Sequence, residues 1–150
     1  IANEVYDREI DTEKAVTLAL FHDATETFTG DIPTPVKHRN PDMLHNFRQI
    51  ERSAAEKLAA MIPEPLQAVY RPLLCNTKEN DGLRKYVKAA DLLDGYLKCI
   101  SERSAGNSEF ATAQKQIRAA IDKMEMPEAD YFLRHLAPSF EKTLDEMTTF

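Results

Sequence analysis

Apolar positions along this chain recur three and four residues apart, and no stretch alternates convincingly at a spacing of two. That period predicts helices rather than strands. Asp11 is a good N-cap for a helix over 12–26, with Ala15, Val16, Ala19 and Leu20 forming an inward stripe. In TFTGDIPTPVKHRN, Gly30, Pro33 and Pro35 fall too densely for a helix, so a loop is expected. Asn40-Pro41 reads as an N-cap and first-turn proline opening a helix to about residue 61. A short helix follows Pro63 and Pro65, and a long one over about 81–103 is closed by Gly106-Asn107. Two or three further helices are expected, broken near Met126-Pro127 and Ala137-Pro138. The fold class is therefore all-α. At 150 residues, with no internal repeat or linker, the chain is expected to form one domain. The opening IANEVYD reads like the end of a helix already under way, so N-terminal helices of the domain are expected before Ile1.

Charge narrows the function classes. A formal net charge of −6 argues against a partner held through many phosphates, as a nucleic acid polymer is, but leaves a small anionic substrate open. No apolar run approaches the roughly 20 residues of a membrane span, and nothing resembles a signal peptide, so a cytoplasmic protein without a membrane partner is expected. Cys75 and Cys99 lack zinc-site spacing and are read as reduced core thiols.

The stretch FHDATETFTGD is oddly polar for the end of an apolar helix. On a helix His22 and Glu26 share a face, and Asp23 lies about 100° around from His22. Both can flank one point at that edge, and a divalent metal ion is such a point, since imidazole nitrogen and carboxylate oxygen suit it as ligands. A hydrogen-bonded core histidine is the simpler alternative. In YVKAADLLDGYL, Asp91 sits among Tyr86, Val87, Ala90, Leu92 and Tyr96, which would face a core; the alternative is an acid paired with Lys88 or Lys98. Asp94 reads as such a solvated acid. Phe21, Phe28 and Tyr96 are expected in the core, and His38, His45 and His135 as core or surface structure.

FHDATE followed by KAAD resembles the helical HD-domain metal-dependent phosphohydrolases. HDATETFTGDIPTPVK, KAADLLDGYLKC, AGNSEF, DYF and PSFEKTLDE are together similar to the bacterial HD-domain 5′-deoxynucleotidases of the YfbR type. The resemblance runs from about residue 12 to the end. It implies a single HD-domain helical bundle that removes the 5′-phosphate from deoxyribonucleoside monophosphates. It also implies His22, Asp23 and Asp91 as ligands of one divalent ion (manganese, cobalt, iron, zinc, nickel or magnesium), Glu26 in proton transfer, and Asp31 at the nucleotide. The family's other metal-binding histidine and an Arg-Trp pair near its N-terminus have no counterpart here; the resemblance places them upstream of Ile1. Gly30 would let the loop backbone approach the ligand, and Asp31 would accept from the sugar 3′-hydroxyl. Lys37 is either a phosphate neighbour or a solvated loop lysine. A homodimer is implied as well. Two alternatives stay open: hydrolysis of a cyclic nucleotide, alarmone or triphosphate, and a degenerate, non-catalytic helical binding module.

Overall fold

The computed structural model describes residues 1–32, 40–142 and 144–148. Every regular element among them is helical, as the hydrophobic period predicts. The helices are α1 (Ala2–Tyr6), α2 (Thr12–Phe21), α3 (Glu26–Thr29), α4 (Pro41–Met61), α5 (Glu64–Leu74), α6 (Asp81–Ser104), α7 (Ala111–Asp122), α8 (Pro127–His135) and α9 (Leu144–Thr148). Short 3₁₀ turns lie at Lys78–Asn80, Ser108–Phe110 and Ala137–Glu141. The chain divides into two compact units: Asp11–Val87, and Ile1–Ile10 with Lys88–Phe150.

In the unit Asp11–Val87, local chemistry sets most helix ends. The Asp11 carboxylate accepts from the Lys14 backbone N–H at 2.9 Å, and the Asn40 side chain accepts from the Met43 N–H at 2.7 Å. Each satisfies an orphan donor of the first turn, and Pro41 takes a position that needs none. α4 packs against α5, α2 lies on α5, and α3 lies on α4. Ala54, Ala55 and Ala59 are buried, the small side chains that close helix packing requires. Asn80 is fully buried and donates to the Pro72 carbonyl at 2.9 Å, tying the 3₁₀ turn to the end of α5.

Two expectations for α2 need correction. The helix ends at Phe21, not near residue 26. The Ala19 carbonyl accepts the His22 Nδ1–H at 2.7 Å and the His22 backbone N–H at 3.4 Å. The chain then tightens into i→i−3 bonds, Ala24 to Phe21 at 3.1 Å and Glu26 to Asp23 at 2.9 Å, before α3 begins. The inward stripe is also rotated. Leu18 is buried while Val16 and Leu20 are 71% and 79% exposed, and Phe21 meets the Tyr70 ring edge-on.

The other unit takes in α1, α6 from Lys88 onward, and α7 to α9. Gly106, at φ 88°, closes α6 with the paired bonds of a Schellman motif: Asn107 N–H to Glu102 O and Gly106 N–H to Arg103 O, each 2.9 Å. α1 ends at Asp7 in the left-handed conformation, and the Tyr6 hydroxyl donates to the Pro127 carbonyl at 3.0 Å. Cys99, Ile100, Ile121, Met126 and Ala129 are buried there. Pro127 and Pro138 stand at the expected breaks.

Candidate metal and phosphate site

The turn that interrupts α2 and α3 carries the polar cluster. His22 is the C-cap of α2, and its ring is oriented by the Nδ1–H bond to Ala19. That bond leaves Nε2 facing Asp23 Oδ2 at 3.0 Å. An unprotonated ring nitrogen and a carboxylate oxygen are both acceptors, so a proton or a cation belongs between them. Two donors about 2.1 Å from one ion and at right angles would lie roughly 3 Å apart. A backbone carbonyl holding the far ring nitrogen is also the usual support of a metal-binding histidine. The donor chemistry of this pair thus fits a divalent ion. Asp23 further follows the C-terminus of α2, the negative end of its dipole, where an acid is disfavoured unless positive charge is present.

His22, Asp23 and Glu26 line one cavity of about 620 Å³, together with residues of α4, the end of α5 and the start of α6. Glu26 opens α3, where the helix N-terminus favours a carboxylate. Gly30 ends α3 at φ 68° with its N–H on Glu26 O at 2.8 Å. No heavy atom would obstruct a Cβ there, so the left-handed conformation is what favours glycine. Asp31 follows, exposed. Lys37, with Pro33, Pro35 and His38, lies outside the described residues.

Asp91 belongs to the other unit. Its carboxylate pairs with Lys88 Nζ at 2.6 Å on the same helix, and its side chain is 38% exposed. The ion pair weighed as an alternative is thus present, and Ala90, expected to face the core, is exposed. Among the described residues no three His, Cys, Asp or Glu side chains converge on one point.

Other expectations shift with burial. Cys75 is half-buried and lines the cavity instead of the core. Its thiol donates to Glu56 Oε1 at 3.7 Å, and burial first, then the Glu56 charge, pushes its pKa up. Cys99 is buried as expected, and burial raises its pKa too. Phe28 is 51% exposed and lines a second cavity beside Gln49 and Ile50. His45 shares a hydrogen bond of 2.9 Å with Gln49 at the surface, and His135 stacks on Tyr131. The residues that sequence reasoning missed are Arg48, Arg52 and Arg84, which also line the first cavity. A signal for the first two is present in α4, where Arg48, Glu51, Arg52 and Ala55 recur at helical spacing, but one sequence does not say what that face borders.

The family model for YfbR-like 5′-deoxynucleotidases matches residues 1–140. The chain belongs to the YfbR-like 5′-deoxynucleotidase family. It is 42% identical over 148 residues to a 5′-deoxynucleotidase of Vibrio vulnificus, covering 99% of this chain and 76% of the relative. A 5′-deoxynucleotidase of Pectobacterium atrosepticum is 41% identical, covering 99% of this chain and 74% of that protein. One of Yersinia pestis (strain Pestoides F) is 40% identical, with 75% of its length covered. The expectations of an all-helical fold and of a phosphomonoester hydrolase of the 5′-deoxynucleotidase family are borne out. YfbR-like membership also implies, in general terms, metal dependence and a nucleotide substrate. No helix among the described residues is long and apolar enough to cross a membrane.

Proposed function

We propose that this protein hydrolyses deoxyribonucleoside 5′-monophosphates to deoxynucleoside and inorganic phosphate, with His22, Asp23 and Asp91 as ligands of one divalent ion. The observation that carries the reading is the His22–Asp23 pair, which opens with Glu26 onto one cavity in a chain matched to the family over residues 1–140. When bound, the ion supplies charge that acidifies water and offsets charge developing on the phosphoryl group. His22 offers Nε2, oriented by its bond to Ala19, and Asp23 offers a carboxylate oxygen on the same side. Glu26 takes the proton from the attacking water or returns one to the leaving 5′-oxygen, a role that contributes typically 10²–10⁴-fold. Gly30 turns the backbone so that Asp31, exposed after α3, accepts from the sugar hydroxyl. Lys37 and a homodimer are parts of the same proposal, as is a cytoplasmic location.

Phosphate release from the intact protein, assayed with deoxyribonucleoside monophosphates, ribonucleoside monophosphates, a cyclic nucleotide and a triphosphate, tests the reading. Fastest release from the deoxyribonucleoside monophosphates, abolished by chelator and restored by divalent metal, is expected. Faster turnover of the cyclic nucleotide or triphosphate, or no turnover after metal addition, would reject it.

A further inference from the structure

The cavity beside His22 carries cations that the scheme above does not use. Arg48 and Arg52 stand one turn apart on α4, and Arg84 comes from the first turn of α6. Clustering three guanidinium groups is unfavourable by itself, and the chain as a whole is acidic, at −6. Glu56 is paired with Arg71, and Asp23 with His22. Glu26 and Glu51 have interactions of their own. Arg48 and Arg52 make no hydrogen bond or ion pair with another described residue, although carboxylates line the same space.

Arg84 is the most constrained of the three. One terminal nitrogen donates to the Cys75 carbonyl at 3.0 Å, while its Nε–H is buried with no hydrogen-bond partner. A buried guanidinium donor left unpaired is costly, and an incoming oxygen would satisfy it. Burial is also the leading cause that lowers the Arg84 pKa, ahead of the opposing charges of Asp81 and Cys75. An anion at this place would recover what burial removes.

We propose that Arg48, Arg52 and Arg84 form the phosphate-binding wall of this cavity, with Arg84 as the anchor and the two α4 arginines as a fork at its mouth. The inference rests on the proposed reaction and names the part of the site that holds the substrate's non-bridging oxygens. Guanidinium groups match phosphate oxygens in paired, planar hydrogen bonds, which a solvated lysine cannot reproduce. The same wall faces the charge that spreads over those oxygens as the phosphoryl group transfers, so it contributes to turnover as well as to affinity. Binding favours the dianion of the substrate's phosphate monoester, which forms with a second pKa of about 6, so affinity for the nucleotide falls as pH drops below that value.

Titration of the metal-loaded intact protein with inorganic phosphate tests this, beside KM for a deoxyribonucleoside monophosphate. Arg48→Gln and Arg52→Gln alter exposed side chains and are expected to leave the melting temperature and metal content unchanged. Each weakens phosphate binding and raises KM roughly tenfold, and the double variant does so by more. Arg84→Lys keeps the charge but loses the fork, and is expected to weaken phosphate binding at least as much. Variants that turn over the substrate and bind inorganic phosphate as tightly as the parent would overturn the wall and leave the reaction standing. A parent protein that hydrolyses none of the nucleotides, yet binds inorganic phosphate tenfold more tightly than the double variant, would overturn the reaction and leave the wall standing. A parent that does neither overturns both.

Discussion

Two polar pairs, one in each unit, have nearly the same length and opposite settings. Arg8 Nε meets Glu128 Oε1 at 3.1 Å, and His22 Nε2 meets Asp23 Oδ2 at 3.0 Å. The Glu128 side chain is only 10% exposed, and it sits in the first turn of α8, where the helix dipole favours a carboxylate. A strong donor faces it, and the Tyr6 hydroxyl bond to Pro127 holds the same two segments together. Each of these features serves folding. Asp23 is 58% exposed, stands at the negative end of α2, and faces a ring nitrogen that is itself an acceptor when neutral. Folding gains little from such an arrangement, and the cavity that it borders is where it can act. Similar distances therefore conceal different purposes, and the helix-end electrostatics separate them.

That contrast breaks if the two pairs respond alike to substitution. Asp23→Asn should cost at least 10³-fold in turnover of deoxyribonucleoside monophosphates while the melting temperature holds or rises, because an acid leaves the negative end of α2. Kinetics beside a thermal melt checks both halves. Glu26→Gln should retain bound metal and lower kcat by roughly 10²-fold or more, read from metal analysis and phosphate release; equal activity would remove Glu26 from proton transfer. Glu128→Ala should do the reverse, lowering stability by about 1–3 kcal/mol, as denaturant unfolding would record, with kcat unchanged.

The smallest effect belongs to a surface acid. The Glu102 carboxyl is held below its usual 4.5 by hydrogen bonds first from Lys98 and then from Asn107. A depressed folded pKa stabilises above the unfolded value and is lost as pH falls through the folded one. Glu102→Gln should therefore lower the melting temperature slightly at pH 7 and leave it close to the parent's at pH 3, flattening the fall between them.

How much of this was legible depended on the range of the chemistry. The caps at Asp11 and Asn40, Pro41 at the start of α4, and the Gly106-Asn107 stop involve neighbours within a few residues, so the sequence carried them whole. The end of α2 was missed because a side-chain donor on His22 competes for a carbonyl that the helix would otherwise use. The rotation of its apolar stripe was missed for another reason. Val16 and Leu20 are apolar, but only packing decides that Leu18 is the residue covered. At the site, His22, Asp23 and Glu26 were legible by spacing, and they do border one cavity. Asp91 showed both faces of its alternative in the sequence, and Lys88 is indeed its partner on α6. The three cavity arginines come from two helices, 36 residues apart at the extremes of 48 and 84, and no local pattern joins them.

The central proposal is that His22, Asp23 and Asp91 are the ligands of one metal ion. Metal content and turnover of the Asp91→Ala protein, measured side by side with the parent, test it most directly. Loss of both, with helical content and melting temperature retained, is the expected result. Turnover and bound metal at the parent's level would contradict the assignment.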